Sequence, residues 1–288
     1  MAGSQKRLTV PAVRAAKHER RLVMVTAYDH PSARLVDEAG ADIILVGDSL
    51  AMVVLGHPDT LSVTMDEMLH HTRAAARGAS NALVVGDMPW LSYHLSPEET
   101  VRNAAAFIRA GAQAVKVEGG KPSRIAMVRA LLDAEIPVMG HVGLTPQSVH
   151  AFGGFKVQGK DAEAARRLFD EAQALDRAGC FAIVLECVPA ELAAWITDNV
   201  SVPTIGIGAG PACDGQVLVF HDLLGLYDAH TPKFVRRYAE TGAVMREAVA
   251  RFADDVREGR FPDAAVESFH IASDEDLKRL YASYGVPS

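Results

Sequence analysis

Four acids in this chain of 288 residues each close a short apolar run. Asp48 follows Ile43-Ile44-Leu45-Val46-Gly47, Asp87 follows Leu83-Val84-Val85-Gly86, Glu118 follows Ala114-Val115-Lys116-Val117, and Glu186 follows Ala182-Ile183-Val184-Leu185. A continuous apolar run of this length reads as a strand buried on both faces, as in a parallel sheet. The C-terminal end of such a strand is where α/β barrels and open α/β sheets place their active sites. A single acid there is an ordinary turn residue or helix cap. Several that converge make an oxygen-rich site for a hard divalent cation. Asp48, Asp87 and Glu118 close three consecutive strands, and neighbouring strands lie about 4.8 Å apart, so all three can reach one ion directly or through water. All-oxygen donors favour Mg²⁺ or Ca²⁺ over Zn²⁺, and a site open to water and substrate favours Mg²⁺. Three unrelated caps and ion pairs are the competing reading.

Other side chains extend the chemistry. Lys116 stands two residues before Glu118, hence on the same face of its strand. An inward lysine must be paired; it can neutralise the acids or hold a substrate carboxylate, or it is a plain Lys-Glu pair. Ser49, next to Asp48, can donate to the same substrate or act as a cap. His141 lies near the end of the fifth strand, where histidine serves as base, donor or ligand, or has a structural role. Glu186 has four apolar residues before it, and desolvation there disfavours a charged carboxyl, as in a usable general base. Ile205-Gly206-Ile207-Gly208-Ala209-Gly210 occupies the place of a barrel phosphate loop, with tight backbone packing as the equal alternative.

These residues need a scaffold that brings strand ends together. Strand-like runs fall at Leu22–Tyr28, Ile43–Asp48, Leu83–Met88, Ala114–Glu118, Pro137–Val142, Phe181–Cys187, Thr204–Ile207 and Val217–His221, with helical stretches between most of them. Ser96-Pro97-Glu98-Glu99 is a cap, an N1 proline and two first-turn acids, and Gly40, Gly111 and Gly179 end helices just before strands. Eight βα alternations without a linker predict an α/β fold, a single (β/α)8 TIM-type barrel over residues 1–288. An open doubly wound sheet is the runner-up. Residues 1–21 form a lead-in segment with a helix near Val10–Lys17. Residues 226–288 form a helical extension (Lys233–Arg257, Ser273–Tyr284), the kind of appendage that packs on neighbouring subunits.

Composition narrows the partners. The chain is 49% hydrophobic, enough for a large core, and its 36 acids against 29 bases give a net charge of -7. That balance argues against nucleic acid and anionic membrane as partners. No run reaches the roughly 18 apolar residues of a spanning helix, and the basic N-terminus has no signal-like apolar region. Cys180, Cys187 and Cys213 lack CxxC spacing and read as reduced, packing thiols, so a cytoplasmic location is expected.

The segments Val25-Thr26-Ala27-Tyr28-Asp29, Val46-Gly47-Asp48-Ser49, Gly86-Asp87-Met88-Pro89, Lys116-Val117-Glu118-Gly119, Gly140-His141-Val142-Gly143-Leu144-Thr145-Pro146-Gln147-Ser148, Gly153-Gly154-Phe155-Lys156-Val157-Gln158-Gly159 and Ile205 to Gly210 through Cys213-Asp214-Gly215-Gln216 closely resemble the ketopantoate hydroxymethyltransferase family. The likeness runs in order from Thr9 to beyond Tyr227. Trp90-Leu91 departs from it, where the family more often shows Phe then Gly. The resemblance implies hydroxymethyl transfer from 5,10-methylenetetrahydrofolate to 3-methyl-2-oxobutanoate, with Mg²⁺ as cofactor and a homo-oligomer, usually a decamer. It places Asp48, Asp87 and Glu118 around the metal, and Asp48, Ser49, Asp87 and Lys116 on substrate. It makes Glu186 the proton acceptor and His141 a further catalytic-site residue. With neither reactant needing a phosphate site, the glycine-rich loop is left to packing.

The nearest rival is a metal-dependent 2-oxo acid lyase or phosphonomutase related to isocitrate lyase, but the Lys-Lys-Cys-Gly-His loop of those lyases does not occur here. A non-catalytic binding barrel would have no need of a base beside its metal.

Overall fold

The computed structural model describes residues 7–226 and 231–285. Residues 1–6 of the lead-in, and 227–230 and 286–288 of the expected extension, lie outside them. The described chain divides into two compact units, Met1–Tyr238 and Ala239–Ser288.

In the first unit eight parallel strands close into a barrel in chain order. They are β1 (Leu22–Thr26), β2 (Ile43–Val46), β3 (Leu83–Asp87), β4 (Ala114–Glu118), β5 (Val138–Gly143), β6 (Ala182–Glu186), β7 (Thr204–Ile207) and β8 (Gly215–Leu218). The helices are α1 (Val10–Ala15), α2 (His30–Glu38), α3 (Leu50–Val53), α4 (Met65–Gly78), α5 (Pro97–Arg109), α6 (Pro122–Asp133), α7 (Val149–Phe152), α8 (Ala162–Ala178), α9 (Ala190–Asn199) and α10 (Phe220–Leu223). No helix among the described residues is long and apolar enough to cross a membrane.

The two-residue period of the strands sorts the apolar residues into two cores. Met24, Ile43, Leu45, Leu83, Val85, Ala114, Met139, Ala182, Val184, Ile205 and Val217 fill the barrel interior. Their alternates, such as Ile44, Val84, Val115, Val117, Ile183 and Leu185, pack outward on the helices. Val13 and Ala16 of the lead-in join the inner cluster and close the N-terminal mouth. The parity decides the site. Asp87 shares its side with Val85, Lys116 and Glu118 with Ala114, His141 with Met139, and Glu186 with Val184, so all five point inward at the opposite mouth.

The helices form where the sequence marks them. In α5, Ser96 Oγ accepts the Glu99 N–H at 3.1 Å, Pro97 fixes the first turn, and Thr100, Ala104 and Phe107 make the buried face. Phe107 packs onto Gly86, where a Cβ would sit 2.4 Å from its ring. Truncating so buried an aromatic costs about 3–5 kcal/mol.

The ends of elements differ from expectation. β1 stops at Thr26, although Ala27 still donates to Leu45 O at 3.0 Å. β8 spans Gly215–Leu218 rather than Val217–His221, because Phe220 N–H turns to Thr26 Oγ1 (2.9 Å) and starts α10. The helix expected from Lys233 begins only at Thr241. Residues 231–240 are irregular, since Phe234 packs on Gly208 and Tyr238 N–H is tied to Leu223 O at 2.8 Å. The second unit holds α11 (Thr241–Arg257) and α12 (Asp274–Ser283).

Candidate active site

A cavity of about 620 Å³ opens at the C-terminal mouth, and Asp48, Ser49, Asp87, Lys116, Glu118, His141 and Glu186 all line it. The side chains singled out from sequence are therefore brought together. Register explains their pairing. Asp87 is the cross-strand partner of Lys116, and Glu118 that of His141, while Gly143 pairs with Glu186. Gly143 has φ +102°, and a Cβ there would lie 2.2 Å from Glu186 O, so only glycine lets β5 and β6 meet so closely. Cys187, directly after Glu186, sits at φ +48°, a strained left-handed position for a side-chain-bearing residue.

Lys116 Nζ donates to both Asp87 oxygens at 2.8 Å and lies 3.9 Å from Glu118 Oε1. Burial alone would lower the lysine pKa, but Asp87, Glu118 and Asp48 outweigh it and hold it above the usual range. Asp87 also accepts the Asp48 N–H at 3.2 Å. His141 stands between two acids, its Nδ1 3.5 Å from Glu118 Oε1 and its Nε2 3.4 Å from Glu186 Oε2. These are ion-pair distances, and neither ring nitrogen has a hydrogen-bond partner. Burial and Lys116 oppose an imidazolium, yet the two carboxylates push its pKa up to about 9. Glu118 is buried too, but His141 and Lys116 bring its pKa below the ordinary value.

Two details of the site add to the sequence reading. Glu186 keeps 19% of its side chain exposed, because it ends its strand at the open mouth. The three acids Asp48, Asp87 and Glu118 are engaged with other side chains. Among the described residues no three His, Cys, Asp or Glu side chains are gathered for an ion. Lys116 takes both oxygens of Asp87, while Glu118 is drawn towards His141 and accepts the Gln147 N–H at 3.1 Å. The donor set still fits a hard cation. Burial, with Asp87 and Glu118 alongside, raises the Asp48 pKa well above the usual carboxylate range, and Glu118 Oε1 is buried without a hydrogen-bond partner. Asp48, Asp87 and Glu118 remain the residues that could hold a divalent ion, with substrate and water completing its shell.

Sequence reasoning missed the polar frame behind the acids. Gln147 Nε2 donates to Asp48 Oδ2 (2.9 Å) and Met88 O (3.0 Å), and Tyr93 OH donates to Gln147 Oε1 at 2.6 Å. Tyr93 OH in turn accepts the Glu118 N–H at 3.1 Å, and the Arg124 guanidinium lies 4.3 Å over its ring. Ser49 Oγ is 2.9 Å from the buried Tyr28 OH. The glycine-rich loop after β7 is packed rather than open: a Cβ on Gly208 (φ +63°) would meet Phe234 at 2.7 Å.

Comparison with known proteins gives the lineage. Residues 7–264 match the family model described as ketopantoate hydroxymethyltransferase. The chain is 58% identical over 272 residues to the 3-methyl-2-oxobutanoate hydroxymethyltransferase of Oleidesulfovibrio alaskensis, covering 94% of this chain and 93% of that one. It is also 58% identical over 283 residues to the enzyme of the same name from Syntrophobacter fumaroxidans, covering 95% and 100%. Among solved structures, 2,3-dimethylmalate lyase, a member of the PEP mutase/isocitrate lyase superfamily, superposes with a TM-score of 0.54 at 18% identity over 96% of both chains. The lyase and mutase group weighed as a rival is thus matched as a relative in fold. On sequence over nearly its whole length, the chain belongs to the ketopantoate hydroxymethyltransferase family.

Proposed function

We propose that this protein transfers a hydroxymethyl group from 5,10-methylenetetrahydrofolate to 3-methyl-2-oxobutanoate, forming 2-dehydropantoate for pantothenate and coenzyme A synthesis. Family membership supports this reading. The observation that carries it is one cavity with a lysine locked to Asp87 on one side and Glu186 beside His141 on the other. A small 2-oxo acid needs both: cationic and hydrogen-bonding groups for its acid end, and a base near C3.

Each residue then has a task. Lys116 and the Ser49 hydroxyl face the substrate carboxylate, the lysine offsetting its charge. Glu186 removes the C3 proton, and its partial exposure lets that proton leave to water. His141, cationic at neutral pH, holds Glu186 towards the cavity and keeps Glu118 in place. The carbanionic C3 bonds to the methylene carbon of the folate, and both bonds from that carbon to folate N5 and N10 break. A water molecule supplies the hydroxyl group, and the second proton of that water together with one equivalent to the proton taken from C3 restores the two folate N–H groups. Asp48 and Asp87, with Glu118 behind them, would hold a divalent ion, Mg²⁺ by its preference for oxygen ligands. When bound, that ion supplies Lewis-acid polarisation of the 2-oxo group.

Assembly and location follow the family. We infer a homo-oligomer, by resemblance a decamer, in the cytoplasm. Met245, Val249, Phe252 and Val256 form an exposed apolar stripe on α11, which supports burial against another copy.

The test follows the C3 proton of 3-methyl-2-oxobutanoate by NMR in D₂O with Mg²⁺, with and without tetrahydrofolate. Exchange that stops on adding EDTA is expected. No exchange under either condition would sink the proposal, and folate-independent cleavage of a C4 acid would point to lyase chemistry.

A further inference from the structure

Six buried side-chain polar atoms lack a hydrogen-bond partner among the described residues; His94 Nδ1 and His221 Nδ1 lie elsewhere, and the other four belong to residues that line the cavity above. Glu118 Oε1 and both His141 ring nitrogens belong to the network above, and the fourth atom is the buried Oγ1 of Thr60, a residue that lines the same cavity. Thr60 is 2% exposed and sits in the loop between α3 and α4. The local turn does not use its hydroxyl, since Asp59 Oδ1 accepts the Leu61 N–H at 2.9 Å. A hydroxyl buried without a partner is costly, and native structures rarely keep one unless something outside the chain satisfies it.

The cavity narrows what that is. Asp48, Asp87, Glu118 and Glu186 already crowd the wall with acceptors. Lys116 spends two of its hydrogen bonds on Asp87, and Ser49 Oγ is shared with Tyr28. A carboxylate entering this acid-rich cavity needs donors that remain unspent. We infer that Thr60 is a substrate-binding residue, its hydroxyl donating to the carboxylate of the bound 2-oxo acid. The inference rests on the function proposed above. It adds to Lys116 and Ser49 a neutral donor that selects for an acid end and adds no charge to the Lys116–Asp87 pair.

Thr60→Val removes the hydroxyl and keeps the shape. Calorimetric titration with 3-methyl-2-oxobutanoate in Mg²⁺ should show the dissociation constant rising about tenfold or more, as expected for a lost hydrogen bond to a charged group. The ligand-free melting temperature should hold or rise, because a methyl replaces an unpartnered hydroxyl. Thr60→Ser should restore affinity. Unchanged affinity in Thr60→Val overturns the assignment, as does a loss that appears only in the KM for the folate. A fall in ligand-free melting temperature that Thr60→Ser corrects without restoring affinity would mark the hydroxyl as structural and overturn it too. The C3 exchange of the wild-type protein is read in parallel. Exchange there with no effect at Thr60 removes this residue alone, whereas its absence removes the underlying function.

Discussion

Gln147 holds Asp48 by a 2.9 Å hydrogen bond from Nε2, while its own backbone N–H reaches Glu118 at 3.1 Å. One residue outside the strands therefore spans two of the three acids. Its amide cannot flip, because Tyr93 OH donates to Oε1 and the Met88 carbonyl accepts from Nε2. Gln147→Leu should lower kcat/KM by roughly 10²-fold, the scale of lost orientation in a packed site. Tyr93 would lose its acceptor at a cost of about 1–3 kcal/mol. Steady-state kinetics and urea unfolding check both; wild-type kcat/KM would show that Asp48 needs no such support.

Lys116 is the buried counter-charge to three carboxylates. Removing one partner of a buried pair costs about 3–5 kcal/mol because the other is left uncompensated. Lys116→Met should destabilise the protein on that scale without metal, and Mg²⁺ should recover part of the loss by binding the acids it leaves bare. Melting temperatures of both proteins, with EDTA and with Mg²⁺, supply the test. An equal Mg²⁺ response in both would argue against the acids as its site.

The strand ends and their inward parity were readable because a period of two in apolar runs fixes which side chains face the axis. Asp87, Lys116, Glu118, His141 and Glu186 follow from that rule alone. Gln147, Tyr93 and Thr60 were not readable. They act from irregular segments or, for Gln147, from a single 3-10 turn (Pro146–Ser148), where no periodicity assigns a direction, and a lone glutamine after Pro146 looks like any turn. The stretch from Lys233 to Glu240 misled for a related reason. Its composition suits a helix, but contacts with Gly208 and Leu223 hold it irregular.

Under the proposed function, a substitution at Glu186 separates proton removal from binding. Glu186→Gln keeps the size and a polar end beside His141 but cannot accept the C3 proton. The 2-oxo acid should bind within a few fold of wild type while deuterium exchange at C3 falls by 10²-fold or more. Binding is read by calorimetry and exchange by NMR. Retained exchange would remove Glu186 as the base.

At the opposite mouth, Asp37 accepts backbone N–H bonds from Ser80 (3.1 Å), Asn81 (2.9 Å) and Ala82 (2.7 Å), fixing the turn that leads into β3. Burial works against its ionised form, but these donors outweigh it and hold its pKa below the ordinary 3.8. A carboxylate with a depressed folded pKa stabilises the fold above its unfolded pKa and loses that contribution as pH falls through the lower folded value. Asp37→Asn should therefore cost stability at pH 7, about 1–3 kcal/mol from imperfectly satisfied donors. The gap to wild type should shrink below pH 4. Urea midpoints from pH 3 to 7 decide the point, and a gap that is constant across the range would mean that ionisation of Asp37 contributes nothing to the fold.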